Sequence, residues 1–223
     1  MASHLDLEEQ EQLDQLKHFW QRWGDLITWA LIAVLAGYAA WMTWQYWSNK
    51  QAAQSSALYD TVERAAQSGD MALFDRSVSD IKDKFGATTF AHQAALLAAR
   101  VYQDKERTAD AKTQLSWVAE KAYDEGYQAL ARLRLAGLLI EEKAYDQARA
   151  QLTGKAPAAF APLMADRLGD IDMLQGNAAE AVKHYQKAWQ GLEPNAEYRR
   201  LVAVKLAALG ADPEEAPTQE SKK

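Results

Sequence analysis

The segment Leu26–Trp47, LITWALIAVLAGYAAWMTWQYW, decides how this chain is organised. It contains no Asp, Glu, Lys, Arg, Asn or Pro, whereas the rest of the chain is rich in polar residues. A helix over these residues is about 33 Å long at about 1.5 Å per residue, and the hydrocarbon core of a bilayer is about 30 Å thick. We therefore predict a transmembrane helix over residues 26–47.

Tryptophan is concentrated near the two ends of this segment. Because indole rings favour the level of the lipid headgroups, we predict that five residues mark the membrane interface: Trp20, Trp23, Trp41, Trp44 and Trp47. A cleaved signal peptide would instead need a basic start and a small-residue cleavage site. The residues before the segment are acidic and its end is aromatic, so a retained anchor is favoured.

Residues 1–25 form an acidic, amphipathic lead-in with apolar residues at helical spacing. The pattern fits a solvated helical lead-in and a regulatory docking segment equally well, and both interpretations stay open. Lys17 and Arg22 lie before the anchor, and Lys50 lies after it. The two flanks therefore carry nearly equal numbers of basic residues, and the positive-inside rule only slightly favours a cytoplasmic N-terminus.

Composition excludes several classes of protein. The chain has 223 residues, a net charge of −6 and no cysteine. A nucleic-acid-binding protein needs a basic face, so the acidic balance argues against that class. The lack of cysteine excludes disulfides, thiolate catalysis and cysteine-based metal sites. The residues beyond the anchor suffice for one domain with its own core.

Residues 48–209 show no strand-like alternation, but they repeat themselves. One register aligns three segments, which are Ala99, Tyr102, Ala111 and Leu115; Ala136, Leu139, Ala148 and Leu152; and Gly169, Asp172, Ala181 and Tyr185. The successive offsets are 37 and 33 residues, and a tetratricopeptide repeat has about 34. Small residues stand where paired helices cross closely, although Asp172 replaces the expected Tyr.

The predicted fold is therefore all-α, with a single N-terminal transmembrane helix followed by a tetratricopeptide-like (TPR-like) α-solenoid over residues 48–209. The turn Ser68-Gly69-Asp70 begins a capped helix. Residues 195–209 are predicted to form a last helix that closes the repeat array, with Arg199, Arg200 and Lys205 on its exposed face. Residues 210–223, GADPEEAPTQESKK, have no apolar periodicity and are predicted to be a disordered tail.

The first helix of each pair forms the inner face of such a solenoid. By register, we predict a protein-binding groove lined by Leu96, Arg100, Leu130, Leu133, Ile140, Leu163 and Met173. An apolar centre with charged flanks suits an extended or helical polypeptide segment. The alternative, which stays open, is that the first or the last helix of the domain covers these apolar residues.

The titratable residues form no recognisable catalytic or metal-binding motif. The histidines are far apart in sequence and are expected at the surface or in the groove: His4, His18, His92 and His184. Asp166 and Asp170 share a helix face, and we expect both to be solvated. We therefore expect no enzymatic activity, no metal and no cofactor.

Several residues carry a family resemblance. They are Glu8, Glu9, Gln10, Leu16, Lys17, Phe19 and Trp20 of the lead-in, the register of Ala99, Tyr102, Ala111 and Leu115, and Leu168-Gly169-Asp170 with Gln175-Gly176-Asn177. Together with the layout of the chain, they resemble the YfgM-like family of ancillary subunits of the bacterial SecYEG translocon.

The resemblance implies a single-pass type II protein of the bacterial inner membrane, with a cytoplasmic N-terminus and a periplasmic repeat domain. It implies that the SecYEG translocon, a PpiD-like periplasmic chaperone, exported polypeptides and membrane lipid are the partners. The expected function is to help pass exported proteins to periplasmic chaperones, without enzymatic activity. The alternative is an envelope scaffold that coordinates cell division or cell-wall assembly through its repeats.

Overall fold

The computed structural model describes residues 7–213. That part of the chain has no strand, which confirms the prediction of an all-α fold, and the chain divides into two compact units, Met1–Ala53 and Gln54–Lys223. The helices are α1 Leu7–Ser68, α2 Met71–Phe85, α3 Thr89–Asp104, α4 Thr108–Lys121, α5 Glu125–Glu141, α6 Tyr145–Leu152, α7 Ala161–Leu174, α8 Ala178–Gly191 and α9 Glu197–Ala208.

The first unit holds the apolar part of α1. By length and composition this helix is able to cross a membrane. Each of the five predicted interface tryptophans is 45–60% exposed, and their place at the headgroup level stays a prediction. The hydroxyls of Thr28 and Thr43 donate to the carbonyls of Gly24 and Ala39 at 2.7 and 2.8 Å. These polar groups therefore need no water.

The second unit contains the predicted turn after α1. Gly69 has a φ of +73°, which only glycine adopts without strain. The carboxylate of Asp70 accepts a hydrogen bond from the Leu73 amide at 3.0 Å and caps α2. The sequence prediction for this turn and cap is confirmed.

Helix pairs α3–α4, α5–α6 and α7–α8 follow, and α9 closes the array. The three alanines predicted at close helix crossings, Ala111, Ala148 and Ala181, are all 0% exposed. Helix α6 has only 8 residues, whereas α4 and α8 have 14 each. The middle pair is therefore built on a shortened second helix.

The turn inside each pair repeats the same backbone geometry. The amides of Arg107, Ala144 and Asn177 each donate to the carbonyl five residues earlier at 2.8 Å. The residue before each amide has a positive φ, which is 59° at Glu106, 61° at Lys143 and 80° at Gly176. This left-handed turn provides hydrogen-bond donors for carbonyls at the end of the first helix. It occurs at the same position in all three helix pairs, as expected of a structural repeat.

The closing helix is α9, Glu197–Ala208, close to the predicted span of residues 195–209. Arg199 and Arg200 belong to its first turns, but the placement of Lys205 on the exposed face is wrong. Its ammonium contacts Asp166 and Asp170 at 2.7–2.9 Å. Most of the predicted disordered tail, residues 214–223, lies outside the described residues.

Candidate binding groove

Two adjoining pockets run along the inner face of α5 and α7. One, of about 500 Å³, has Leu133, Leu138 and Leu163 in its lining. The other, of about 460 Å³, is lined by Ile140, Met173 and Leu174, among others. Both include Gly137, Glu141 and Arg167. We call the two pockets together the groove.

The structure brings four of the seven predicted groove residues together. Leu133 and Leu163 line the first pocket, and Ile140 and Met173 line the second. The placement of Leu96 in the groove is wrong, because this side chain is only 6% exposed and belongs to the main core. Helices α2 and α4 both pack against α3, which leaves Leu96 little room to reach solvent.

Arg100 and Leu130 lie in neither pocket. Arg100 is exposed on α3, and Leu130 is partly buried against the main core. The groove is therefore shorter than predicted: most of its lining comes from α5 and α7, and Gln103 is the residue that the first repeat adds to the first pocket.

Gly137 gives the groove its depth at the junction of the two pockets. A Cβ atom placed there would meet no atom within 4 Å, so the missing side chain leaves open space. Arg134 and Arg167 form part of the rim of the first pocket. Sequence reasoning missed both arginines, although the 33-residue offset of the register relates them.

Helix α9 covers part of the inner face of α7. Asp166, which is 0% exposed, accepts hydrogen bonds from the Tyr198 hydroxyl at 2.6 Å and the Lys205 ammonium at 2.8 Å. The expectation that Asp166 is solvated is therefore wrong. Burial, and then the hydrogen bond to Asp166, raise the pKa of Tyr198, which keeps its hydroxyl protonated as the donor.

Asp170 forms the second half of this contact. It accepts hydrogen bonds from the Tyr185 hydroxyl at 2.8 Å and from Lys205 at 2.7 Å. The Tyr185 ring lies so close to α7 that a Cβ atom at Gly169 would come within 2.5 Å of it. Gly169 is thus required by packing, and one edge of the groove is held by paired charges.

The histidines do not all lie where the sequence suggested. His92 is 2% exposed and belongs to the core, so its expected place at the surface or in the groove is wrong. Burial lowers the pKa of His92, against a hydrogen bond to Gly86. The Nδ1 atom of His184 lies 2.6 Å from Asp172. His18 is exposed, and His4 lies outside the described residues.

No group of three or more histidine, cysteine, aspartate or glutamate residues within the described part of the chain is arranged to hold a metal ion. The polar clusters around Asp166 and Asp172 are instead hydrogen-bonded networks between helices. The groove's apolar lining and its charged rim are features of a surface that binds a polypeptide.

An apolar N-terminal helix followed by stacked helix pairs defines the chain as a TPR-like repeat protein with a candidate membrane anchor. A family model described as "Tetratricopeptide repeat-like domain" matches residues 17–211. The chain therefore belongs to the TPR-like family and, within it, to the YfgM-like group that its lead-in and repeat register resemble.

Three relatives carry the name "Ancillary SecYEG translocon subunit". The protein of Neisseria gonorrhoeae is 33% identical over 210 residues, which is 94% of this chain and 100% of that protein. The Haemophilus influenzae protein is 27% identical, over 82% of this chain and 90% of its own length. The Escherichia coli protein is 25% identical, over 82% and 85%.

Proposed function

We propose that this chain is an accessory subunit of the Sec translocon that binds exported polypeptides in its groove and helps pass them to periplasmic chaperones. The observation that carries the proposal is an apolar groove with a charged rim on a domain whose chain also holds a candidate membrane span. The names of the three relatives support the association with SecYEG.

The shape of the groove supports an unfolded or helical segment as its ligand. Its pockets fall within the range of about 300–1,000 Å³ found for binding sites. Met173 and Leu174 extend its apolar surface, since their side chains are 39% and 56% exposed. Apolar side chains spaced along a polypeptide are able to occupy the two pockets at once, which favours binding without a strict sequence requirement.

Tethering makes weak binding sufficient. A domain anchored beside an export channel meets emerging chains at an effective concentration in about the millimolar range. Contacts of low affinity then capture a segment and release it again. The proposed place is the bacterial inner membrane, with the N-terminus cytoplasmic and the repeat domain periplasmic, and the proposed partners include SecYEG, a PpiD-like chaperone and membrane lipid.

Crosslinking in intact cells tests the groove. A photoreactive amino acid replaces Ile140 in the full chain, and the matched control carries it at Tyr123, which is 80% exposed and lies outside the groove. We expect exported chains and translocon subunits at position 140 and much less of both at position 123. Recovery of only division or cell-wall proteins at position 140 would contradict the proposal and favour the scaffold.

Protease added to spheroplasts tests the topology. The proposed orientation exposes the repeat domain on the periplasmic side, so trypsin should digest it without detergent. A cytoplasmic marker protein serves as the control for intact membranes. If the repeat domain were fully protected while a known periplasmic marker protein was digested, the proposed orientation would be contradicted and the opposite orientation favoured.

A further inference from the structure

The face of α5 that lies in the groove carries one positive and one negative charge. Arg134 lines the first pocket, and Glu141, seven residues later, lines both pockets. Gly137 lies between them at helical spacing, so the three residues share one face of the helix. Two turns separate the charged residues, which is about 10.5 Å along the axis of α5. The groove therefore presents two opposite charges with a gap between them.

Both of these charges are available to a ligand. Arg134 and Glu141 are exposed, and neither side chain has a hydrogen-bond or ion-pair partner within residues 7–213. An unpaired charge beside an apolar pocket attracts a ligand group of opposite sign and repels one of the same sign. The two residues are therefore able to distinguish one polypeptide from another.

Two other charged residues line the groove in the described part of the chain, and both are neutralised. Arg167 pairs with Asp170 at 3.0 Å. Lys205 contacts Asp170 at 2.7 Å and Asp166 at 2.8 Å. These two basic and two acidic side chains form a cluster without net charge. The electrostatic preference of the groove is therefore set by Arg134 and Glu141.

The separation of the two charges matches an extended polypeptide. A chain in the polyproline II conformation has three residues per turn and rises about 3.1 Å per residue. Residues three apart then lie about 9.3 Å from each other and point to the same side. An acidic and a basic side chain at this spacing are able to reach Arg134 and Glu141 together. The two residues between them then lie over Gly137 and the apolar lining.

We propose that the groove prefers extended segments in which one acidic and one basic residue flank two apolar residues. The acidic side chain contacts Arg134, the basic side chain contacts Glu141, and the apolar side chains enter the pockets. This inference rests on the proposed function and names the class of polypeptide that the groove accepts. Membrane-spanning segments carry few charged residues, so the preference favours segments of water-soluble exported proteins.

The preference is graded, because ion pairs between exposed side chains are individually weak. One such pair changes an affinity by a few-fold, and two like charges at the same place disfavour binding. We therefore expect a mixed-charge segment to bind about three- to tenfold more tightly than a segment whose two charges have the same sign. Salt at about 1 M shortens the range of these interactions to about 3 Å, so the preference should largely disappear there.

Four peptides test this preference on the full chain in nanodiscs of zwitterionic phosphatidylcholine. All four carry an uncharged fluorophore and two central Leu residues in a background of Ser. The residues that flank the Leu pair are Glu and Lys, two Glu, two Lys or two Gln. Fluorescence anisotropy gives the Kd of each peptide, and the peptide with Glu and Lys should bind most tightly.

Two variants should change the order of affinities in opposite ways. Arg134→Glu makes both charges of the groove negative, so the peptide with two Lys should become the tightest ligand. Glu141→Lys makes both charges positive, so the peptide with two Glu should become the tightest. Lys121→Glu is the matched control and should leave the order unchanged, because it lies at an exposed position of α4 outside both pockets. An order that either groove variant leaves unchanged would overturn the proposal.

The peptide with two Gln distinguishes this inference from the proposed function. If all four peptides bind the natural chain equally, the charge preference fails and the capture of apolar segments stands. If the charged peptides follow the expected order and the Gln peptide does not bind measurably, the charge preference stands and capture by the apolar lining fails. Binding of none of the four would overturn both.

Discussion

At the start of the repeat array Tyr102 fills one register position, and at its end Asp172 fills the same position. The Tyr102 ring is buried, its hydroxyl donates to Asp75 at 2.9 Å, and the Arg107 guanidinium lies 4.3 Å from the ring centroid. Asp172 is also buried, but there Arg149 and His184 approach the carboxylate at 2.7 and 2.6 Å.

We call the packing around Tyr102 the first junction and the packing around Asp172 the last junction. The two junctions differ in whether the buried group carries the charge. At the first junction the buried group is an aromatic ring, and the carboxylate of Asp75 is 41% exposed. At the last junction the carboxylate itself is 4% exposed and depends on its contacts with Arg149 and His184. The same position of the repeat therefore places a side chain between helices in both cases. The chemistry of that side chain differs, since it is an aromatic ring at Tyr102 and a carboxylate at Asp172.

Removing a cation should affect the two junctions very differently. Arg149→Met leaves Asp172 buried with one partner fewer and should lower the free energy of unfolding by about 3 kcal/mol. Arg107→Met removes contacts with a more exposed carboxylate and should cost about 1 kcal/mol. Urea unfolding of the fragment that begins at Gln54 measures both.

A double variant provides the control for this prediction. Arg149→Met with Asp172→Leu replaces the buried pair by apolar groups and should recover most of the lost stability. Equal losses for Arg149→Met and Arg107→Met would contradict the distinction between the two junctions.

The junctions share a requirement for small residues at the helix crossings. Ala148 is 0% exposed, so Ala148→Trp should destabilise the middle pair by about 1–3 kcal/mol through overpacking. Thermal unfolding of the same fragment measures the effect, and Ala179→Trp, at an exposed position of α8, is the control. An unchanged melting temperature for Ala148→Trp would mean that the repeat register is wrong.

The partly exposed His184 and the buried His92 extend the comparison. His184 has Asp172 as a partner, whereas the Nε2 atom of the core residue His92 has no hydrogen-bond partner in the described structure. Burial lowers the pKa of His92 in the folded state, so the unfolded chain binds a proton more readily below about pH 6.5. Stability should therefore fall as the pH decreases below about 6.5 and should not change from this source above it.

The melting temperature measured between pH 8 and pH 5 tests this prediction. His92→Gln keeps a polar side chain and should flatten the acid side of the curve relative to the natural chain. A curve of unchanged steepness in the variant would rule out His92 as the source. His18→Gln, at an exposed position, is the matched control.

The smallest effect concerns the repeated left-handed turn. Lys143 has a φ of 61°, and its counterpart Gly176 has a φ of 80°. Lys143→Gly should stabilise the domain by about 0.5–1 kcal/mol because it relieves the strain of a side chain in this conformation, and Gly176→Ala should destabilise it by a similar amount. Chemical denaturation of both variants checks the signs, and a loss of stability in Lys143→Gly would contradict the account of the turn.

Much of the fold follows from local pattern. The apolar segment, the cap at Asp70 and the three crossing alanines all depend on residues close together in sequence, where spacing alone gives the geometry. The register also placed Leu133 and Ile140 on the inner face of α5, and both line the groove, while the binding of a polypeptide there stays a prediction.

The errors have a common physical cause. Helical spacing shows that Asp166 and Asp170 share a face, but it does not show that Tyr198 and Lys205 will pack on that face. The same limit applies to Leu96, whose burial depends on two neighbouring helices. The partner in each case comes from another helix, and a polar pair separated by more than thirty residues leaves no periodic signal.

The shortened helix α6 decides where the repeat domain is most easily cut. Fewer turns mean fewer backbone hydrogen bonds and less buried surface to hold that helix, so local opening costs least there. The chain that follows includes Lys155, whose side chain is 89% exposed. Brief treatment of the folded domain with trypsin should therefore cleave first after Lys155, near the middle of the array, and the two halves should remain associated through α5 and α7.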